Sequence, residues 1–119
     1  MPRDTSFHDY IIDLLADMPG ITSRSMFGGW GIYKDRIFFG LISDGELYFK
    51  VGAGNRAEYE KAMSRSFVYS ANGKKITMSY WLVPEEVLED RETLSEWVEK
   101  AVTEARKATK KPHHIKGGP

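Results

Sequence analysis

The chain contains no cysteine, which removes disulfides, thiolate metal sites and cysteine nucleophiles from consideration. No apolar run approaches the ~20 residues that a membrane-spanning helix needs. The opening stretch MPRDTSFHDY lacks the apolar core of a secretory leader. Together these absences predict a cytoplasmic protein without membrane contact. Net charge is absent too, 17 Lys and Arg balancing 17 Asp and Glu. The charges are segregated, however. Residues 85–104 hold eight acids against two bases, while residues 106–119 hold five bases and no acid. A uniformly basic nucleic-acid binder does not look like this.

Recognisable catalytic sets are equally scarce. Of three histidines, His8 reads as a surface residue of a first helix. His113 and His114 sit in a polar tail and make an incomplete set for zinc. No Ser–His–Asp pattern or metal-supported arrangement is legible, so the residues predict no enzyme, no cofactor and no metal site. The acid pairs Glu85–Glu86 and Glu89–Asp90 fall at a helix entrance, where negative charge is favourable. The tail cations at Arg106, Lys107, Lys110 and Lys111 have the mirror role at a helix C-terminus, or offer weak, non-specific, salt-sensitive nucleic-acid contact.

What is present is a regular pattern of elements. Phe7, Ile11, Leu14, Leu15 and Met18 mark one face of a helix that Thr5 or Ser6 can cap and Met18-Pro19-Gly20 ends. WGIY, IFFGLI and LYFKV read as strands, then NRAEYEKAM as a short helix, then SFVYS and KITMSYWL as two more strands. Asp44-Gly45 and Asn72-Gly73 suit hairpin turns with positive φ at both central residues. Leu94, Trp97, Val98, Ala101 and Ala105 stripe a final helix with Asp90 as its cap. The order is helix, three strands, short helix, two strands, helix. It predicts a two-layer α+β domain over residues 1–106 with an antiparallel sheet of about five strands, followed by a basic, flexible tail over 107–119.

The densest signal is RSMFGGWGIY at residues 24–33. Its glycines lead into another strand, with no GK[ST] and no helix behind them, so a phosphate loop is the weaker reading. Turn formation at Gly28 and Gly29, and close packing at Gly31 within a strand, explain the stretch without a ligand.

The same residues carry a resemblance. Arg24, Met26, Phe27, Gly28, Gly29, Gly31 and Tyr33, then Asp44, Gly45, Leu47, Tyr48 and Lys50, then Met78 and Tyr80, follow the pattern of the TfoX/Sxy N-terminal domain in order. The resemblance covers about Asp9 to Ala105. It implies a secretion-chaperone-like fold and a link to the regulation of competence genes for DNA uptake. It also implies action with a transcription regulator, the cyclic-AMP receptor protein. It supplies no catalytic or metal residue, and the helical second domain of longer members has no counterpart in this sequence.

Strict alternation places Ile37, Phe39, Leu41, Leu47, Phe49, Val51, Ile76, Met78, Tyr80 and Leu82 on one sheet face. Phe38, Ile42, Tyr48 and Trp81 then fall on the other. An aromatic second face needs a cover. Phe38, Tyr48 and Trp81 are therefore the candidate interface, with a homodimer joined through them as one expectation. The function read from the sequence is a non-enzymatic regulatory or adaptor domain working by protein contact. Two alternatives stand beside it: a nucleic-acid-binding accessory protein using the tail and the sheet aromatics, and a small-molecule-binding domain or enzyme whose pocket the sequence does not reveal.

Overall fold

The computed structural model describes residues 5–26 and 28–110. Phe27, His113, His114 and the rest of the tail from residue 111 lie outside the described residues. The elements in chain order are α1 (Ser6–Leu14), β1 (Ile21–Met26), β2 (Gly29–Lys34), β3 (Ile37–Ser43), β4 (Glu46–Lys50), α2 (Arg56–Lys61), β5 (Ser66–Ala71), β6 (Lys74–Leu82), α3 (Glu85–Leu88) and α4 (Arg91–Lys110). The six strands form one antiparallel sheet in the order β1-β2-β3-β4-β6-β5. The fold is α+β, as the pattern of elements indicated, with four strands rather than three ahead of α2. The additional strand, β1, reads ITSRSM and lies at the sheet edge, where half of its residues are exposed and none is fully buried.

Turn chemistry fixes the register. Asp44 and Gly45 have φ of 53° and 71°, and Asn72 and Gly73 have 53° and 77°. Both pairs are two-residue hairpin loops whose backbone twist matches the strands they join. A third loop of the same form, Asp35-Arg36 at 50° and 71°, joins β2 to β3 without a glycine. Gly28 turns β1 into β2 with φ 73°.

Helix termini follow the same local logic. The Asp90 carboxylate accepts the Glu92 and Thr93 amides at 3.1 and 3.4 Å, which caps α4. Thr5 occupies the N-cap position of α1, but its hydroxyl donates to the Asp9 carboxylate instead of accepting a backbone N–H. Regular α1 stops at Leu14, and Leu15 to Met18 continue as tight turns before Pro19. At the other end α4 continues through Lys110, four residues into the stretch read as tail.

All four helices pack on one face of the sheet. Ile11 and Leu15 of the α1 segment, Tyr59 of α2, Val87 of α3, and Leu94, Trp97, Val98 and Ala101 of α4 join Ile32, Phe39, Ile42, Leu47, Phe49 and Val51 in the main core. The loop after β4 is moulded to α4: Gly52 and Gly54 leave room for the Glu104 carboxylate, which is 7% exposed and paired with Lys107 at 3.0 Å. Buried Asn55 ties the same loop together, accepting from the Gly52 amide and donating to the Lys50 carbonyl.

Alternation along β3 is broken by a bulge. Ile32 pairs with Gly40 and Tyr33 with Phe38, so Phe39 is the extra residue. Phe39 and Gly40 both lie on the helix side, and the ring of Phe39 packs on Phe49 at 5.5 Å beside the space Gly40 leaves. Beyond the bulge the faces are exchanged relative to strict alternation. Ile42 joins the helix-side core, and Leu41 turns to the opposite face.

Candidate functional site: the sheet face without helices

A second cluster occupies the face that the helices leave uncovered, and it is built from strands alone. Leu41, Tyr48, Phe67 and Tyr80 are its buried centre, with Phe38, Tyr69, Met78 and Leu82 packed around them. The rings make two tiers. Tyr33, Phe38 and Tyr80 follow one another at 5.3 Å spacing, and Tyr48, Phe67 and Tyr69 at 4.9 and 6.2 Å. Such tilted, edge and, for Phe67 and Tyr69, stacked contacts let the face bury much of itself without a covering layer.

The expectation for Trp81 is corrected here. Trp81 pairs with Phe49 and points to the helix side, under the Arg56 guanidinium at 5.3 Å and edge-on to Tyr59. Met78, Tyr80 and Leu82, assigned by alternation to the side of Phe39 and Phe49, lie instead with Phe38 and Tyr48, and Ile76 follows them as the partner of Tyr69. The cause is register: Tyr48 pairs with Leu82 and Lys50 with Tyr80, which places odd β6 residue 81 behind the sheet.

Polar groups frame the aromatics. Arg65 donates to both Glu46 oxygens at 3.0 and 2.9 Å, and the Tyr48 hydroxyl donates to Glu46 Oε1 at 2.8 Å. The Tyr48 bond, with Arg65 beside it, holds the Glu46 carboxyl below the usual carboxylate range. Burial, then the bond to Glu46, pushes the Tyr48 phenol up. Burial, then the neighbouring Tyr33 phenol, does the same to Tyr80, over whose ring Lys50 Nζ sits at 5.4 Å. A groove of about 770 Å³ opens beside this network along β5.

The motif residues divide by task. A Cβ on Gly31 would lie 2.6 Å from the Met26 thioether carbon and 3.1 Å from the Phe38 ring, so Gly31 sits in a strand to admit both. Gly29 leaves room for the Ile42 carbonyl. Tyr33 packs on Phe38, and Asp44 and Gly45 make a hairpin turn. Arg24 forms no hydrogen bond or ion pair with the described residues. Instead it lines a recess of about 430 Å³ with Thr22, Ser23, Tyr33 and Arg36.

His8 is not the loose surface residue expected. Its ring stacks on Trp30 at 3.9 Å, Nε2 meets the Ser23 hydroxyl at 2.9 Å, and Nδ1 meets Asp9 Oδ1 at 3.0 Å. The order Asp–His–Ser imitates a hydrolase relay. Ser23, however, lies mid-strand in register with Ile32 and lacks the sharp elbow that presents a nucleophile. Asp9 is 71% exposed, so it does not offer His8 a dry carboxylate. What the three residues do is clamp α1 to the edge strand. No signal in the sequence pointed to this contact, because 15 residues separate His8 from Ser23. Among the described residues no group of three or more His, Asp or Glu is placed to hold a metal ion, and no helix is long and apolar enough to cross a membrane.

Among the described residues, fold and site together define an open-faced antiparallel α+β domain with helices on one side only. Residues 13–105 match the TfoX N-terminal domain family, and the chain belongs to it. It is similar to Protein Sxy of Escherichia coli strain K12, 30% identical over 73 residues, covering 61% of this chain and 35% of that protein. It is also similar to DNA transformation protein TfoX1 of Aliivibrio fischeri, 34% identical over 62 residues, covering 52% of this chain and 30% of that protein. The chain thus spans about a third of the length of these curated relatives.

Proposed function

We propose that this chain is a non-enzymatic regulatory domain in the control of DNA uptake, acting by protein contact through the sheet face that carries no helix. The observation behind the reading is the strand-only aromatic cluster, whose rim leaves Ile76 38% exposed and Tyr69 half-buried. A large uncovered apolar face is a common mark of a contact surface. The relative named as a DNA transformation protein supports the biological setting. The proposed partner is a transcription regulator, and the family resemblance nominates the cyclic-AMP receptor protein. Its test is a titration of the isotope-labelled domain with that purified receptor. Binding should broaden amide signals of Phe38, Tyr69 and Ile76 ahead of those on α3 and α4. Broadening confined to the helices, or none at all, rejects this partner and face.

One observation favours a homodimer as a second reading. Among the described residues β5 is the last strand of the sheet, and its sequence, SFVYSA, contains no charge and no proline to guard that edge. Two copies can pair β5 about a two-fold axis and extend the sheet, in place of the contact through Phe38, Tyr48 and Trp81. Sedimentation should then give a dimer that Val68→Pro returns to monomer, and a monomer at every concentration ends the idea.

A further inference from the structure

We propose that the recess between β1 and the β2–β3 turn binds a phosphate ester, gripped by Arg24 and Arg36. Three observations converge on it. First, the recess of about 430 Å³ is lined by Thr22, Ser23, Arg24, Tyr33 and Arg36, with no acidic side chain among them. Neither arginine has a hydrogen-bond or ion-pair partner among the described residues. The nearest acid in sequence, Asp35, is turned towards Gly20 and paired with Lys34 at 3.6 Å. Two guanidinium groups on one recess with no counter-ion among the described residues repel each other until an anion joins them, and their forked donors match the oxygens of a phosphate.

Second, Arg36 stands where the fold asks for glycine. The three described two-residue turns with positive φ are alike in this sheet, and the second central residue is Gly45 in one and Gly73 in another. In the third it is Arg36, at φ 71°. A side chain held in that region is strained, and such strain recurs where a position serves a site instead of the fold. The turn aims the Arg36 side chain into the recess that Arg24 enters from the neighbouring edge strand.

Third, the recess opens onto the ring tier. Tyr33 forms its wall and continues into Phe38 and Tyr80, with Lys50 over the far ring. A phosphate between two arginines, with an aromatic wall beside it, is the environment of a nucleotide phosphate, free or within a strand. The charge of the recess is supplied by the sheet itself and needs nothing from the basic tail. The proposal is independent of the protein-contact reading.

Amide chemical shifts read the test directly. The labelled protein is titrated at constant ionic strength with inorganic phosphate, adenosine monophosphate, a short oligothymidylate and, as a carboxylate control, a glutamate-rich peptide. Saturable shifts are expected at Thr22, Ser23, Arg24, Tyr33 and Arg36 with at least one of the phosphate esters. Saturation by the monophosphate identifies a mononucleotide as source, and saturation by the oligonucleotide alone identifies a nucleic-acid strand. Arg24→Gln should weaken binding roughly tenfold or more. Arg36→Gly should weaken it similarly while raising the melting temperature by about 3–6 °C, because strain is relieved as the contact is lost. Ile76→Glu, which impairs the proposed protein contact, should leave the titration unchanged. Equal shifts with the glutamate peptide, indifference to Arg24→Gln, or no saturation with any ester overturns the proposal.

Discussion

Alanine at Gly29 and at Gly31 should have sharply different effects, although both glycines belong to one motif. A methyl group on Gly29 is directed into the carbonyl oxygen of Ile42 on β3. That carbonyl is main chain and sits in the ladder where Ile42 pairs with Trp30, so it cannot rotate away. Overpacking against a fixed group costs about 1–3 kcal/mol. Each ladder hydrogen bond forced open adds about 1 kcal/mol. Gly29→Ala should therefore cost about 3–4 kcal/mol, a fall of about 10–15 °C in melting temperature for a domain of this size. On Gly31 the same methyl meets Met26 Cε at 2.6 Å, Sδ at 3.0 Å and Phe38 Cε1 at 3.1 Å. The Met26 side chain is half-buried and flexible enough to swing aside. Alanine also loses less backbone entropy than glycine on folding, by about 0.5–1 kcal/mol. Gly31→Ala should cost no more than about 1 kcal/mol, and Met26→Ala in the same chain should reduce that cost. Thermal unfolding followed by far-ultraviolet circular dichroism resolves the difference. A Gly29→Ala protein as stable as the unmodified one would refute the packing account of the motif.

Three further predictions concern polar groups. Tyr48, Tyr59 and Tyr80 all have phenols raised by burial, so they contribute stability that is complete below the unfolded tyrosine pKa near 10 and lost as pH rises towards their folded values. Absorbance at 295 nm should show these three ionising together with the loss of circular dichroism, and reversible ionisation of all six tyrosines in the folded protein near pH 10 would contradict it. The Glu46 carboxyl is depressed, so its contribution is present above the unfolded carboxylate pKa and lost as pH falls through the folded one. Glu46→Gln should flatten the stability curve between about pH 5 and 3, by less than ~1 kcal/mol because the side chain is 38% exposed and screened. Unchanged acid sensitivity in that variant would remove Glu46 from the account. The Tyr59 hydroxyl is buried without a partner among the described residues. Tyr59→Phe should thus raise stability by about 1 kcal/mol in urea titrations, and a loss of stability would show that the hydroxyl is bonded.

Elements with a strong local signature were legible in the sequence. The apolar stripes of α1 and α4, the Asp-Gly and Asn-Gly turns and the Asp90 cap each depend on residues within a few positions of one another. β1 was not legible, because an edge strand with Ser, Arg and Thr on it carries no apolar alternation. The Asp35-Arg36 turn lacked its glycine signal. One unpaired residue, Phe39, put Leu41 and Ile42 on the faces opposite to those of strict alternation, and Trp81 and Tyr80 changed sides because the β4–β6 register sets Trp81 across from Phe49. The recess joins residues from β1, β2 and the turn beyond, and the His8 clamp joins a helix to an edge strand. Only pairing across the sheet brings them together, and no local pattern announces it.

One hairpin carries both the variant and the control for the proposed contact through the face without helices. Ile76 lies beside Tyr69 on that face and is 38% exposed, while Val68 pairs with Thr77 on the opposite side and is 45% exposed. The decisive measurement is a competence-gene reporter in a host lacking its own copy of the protein, complemented with Ile76→Glu or with Val68→Glu at matched protein levels. Reporter activity should be lost with Ile76→Glu and retained with Val68→Glu. Full activity with Ile76→Glu, or loss with Val68→Glu alone, would contradict it.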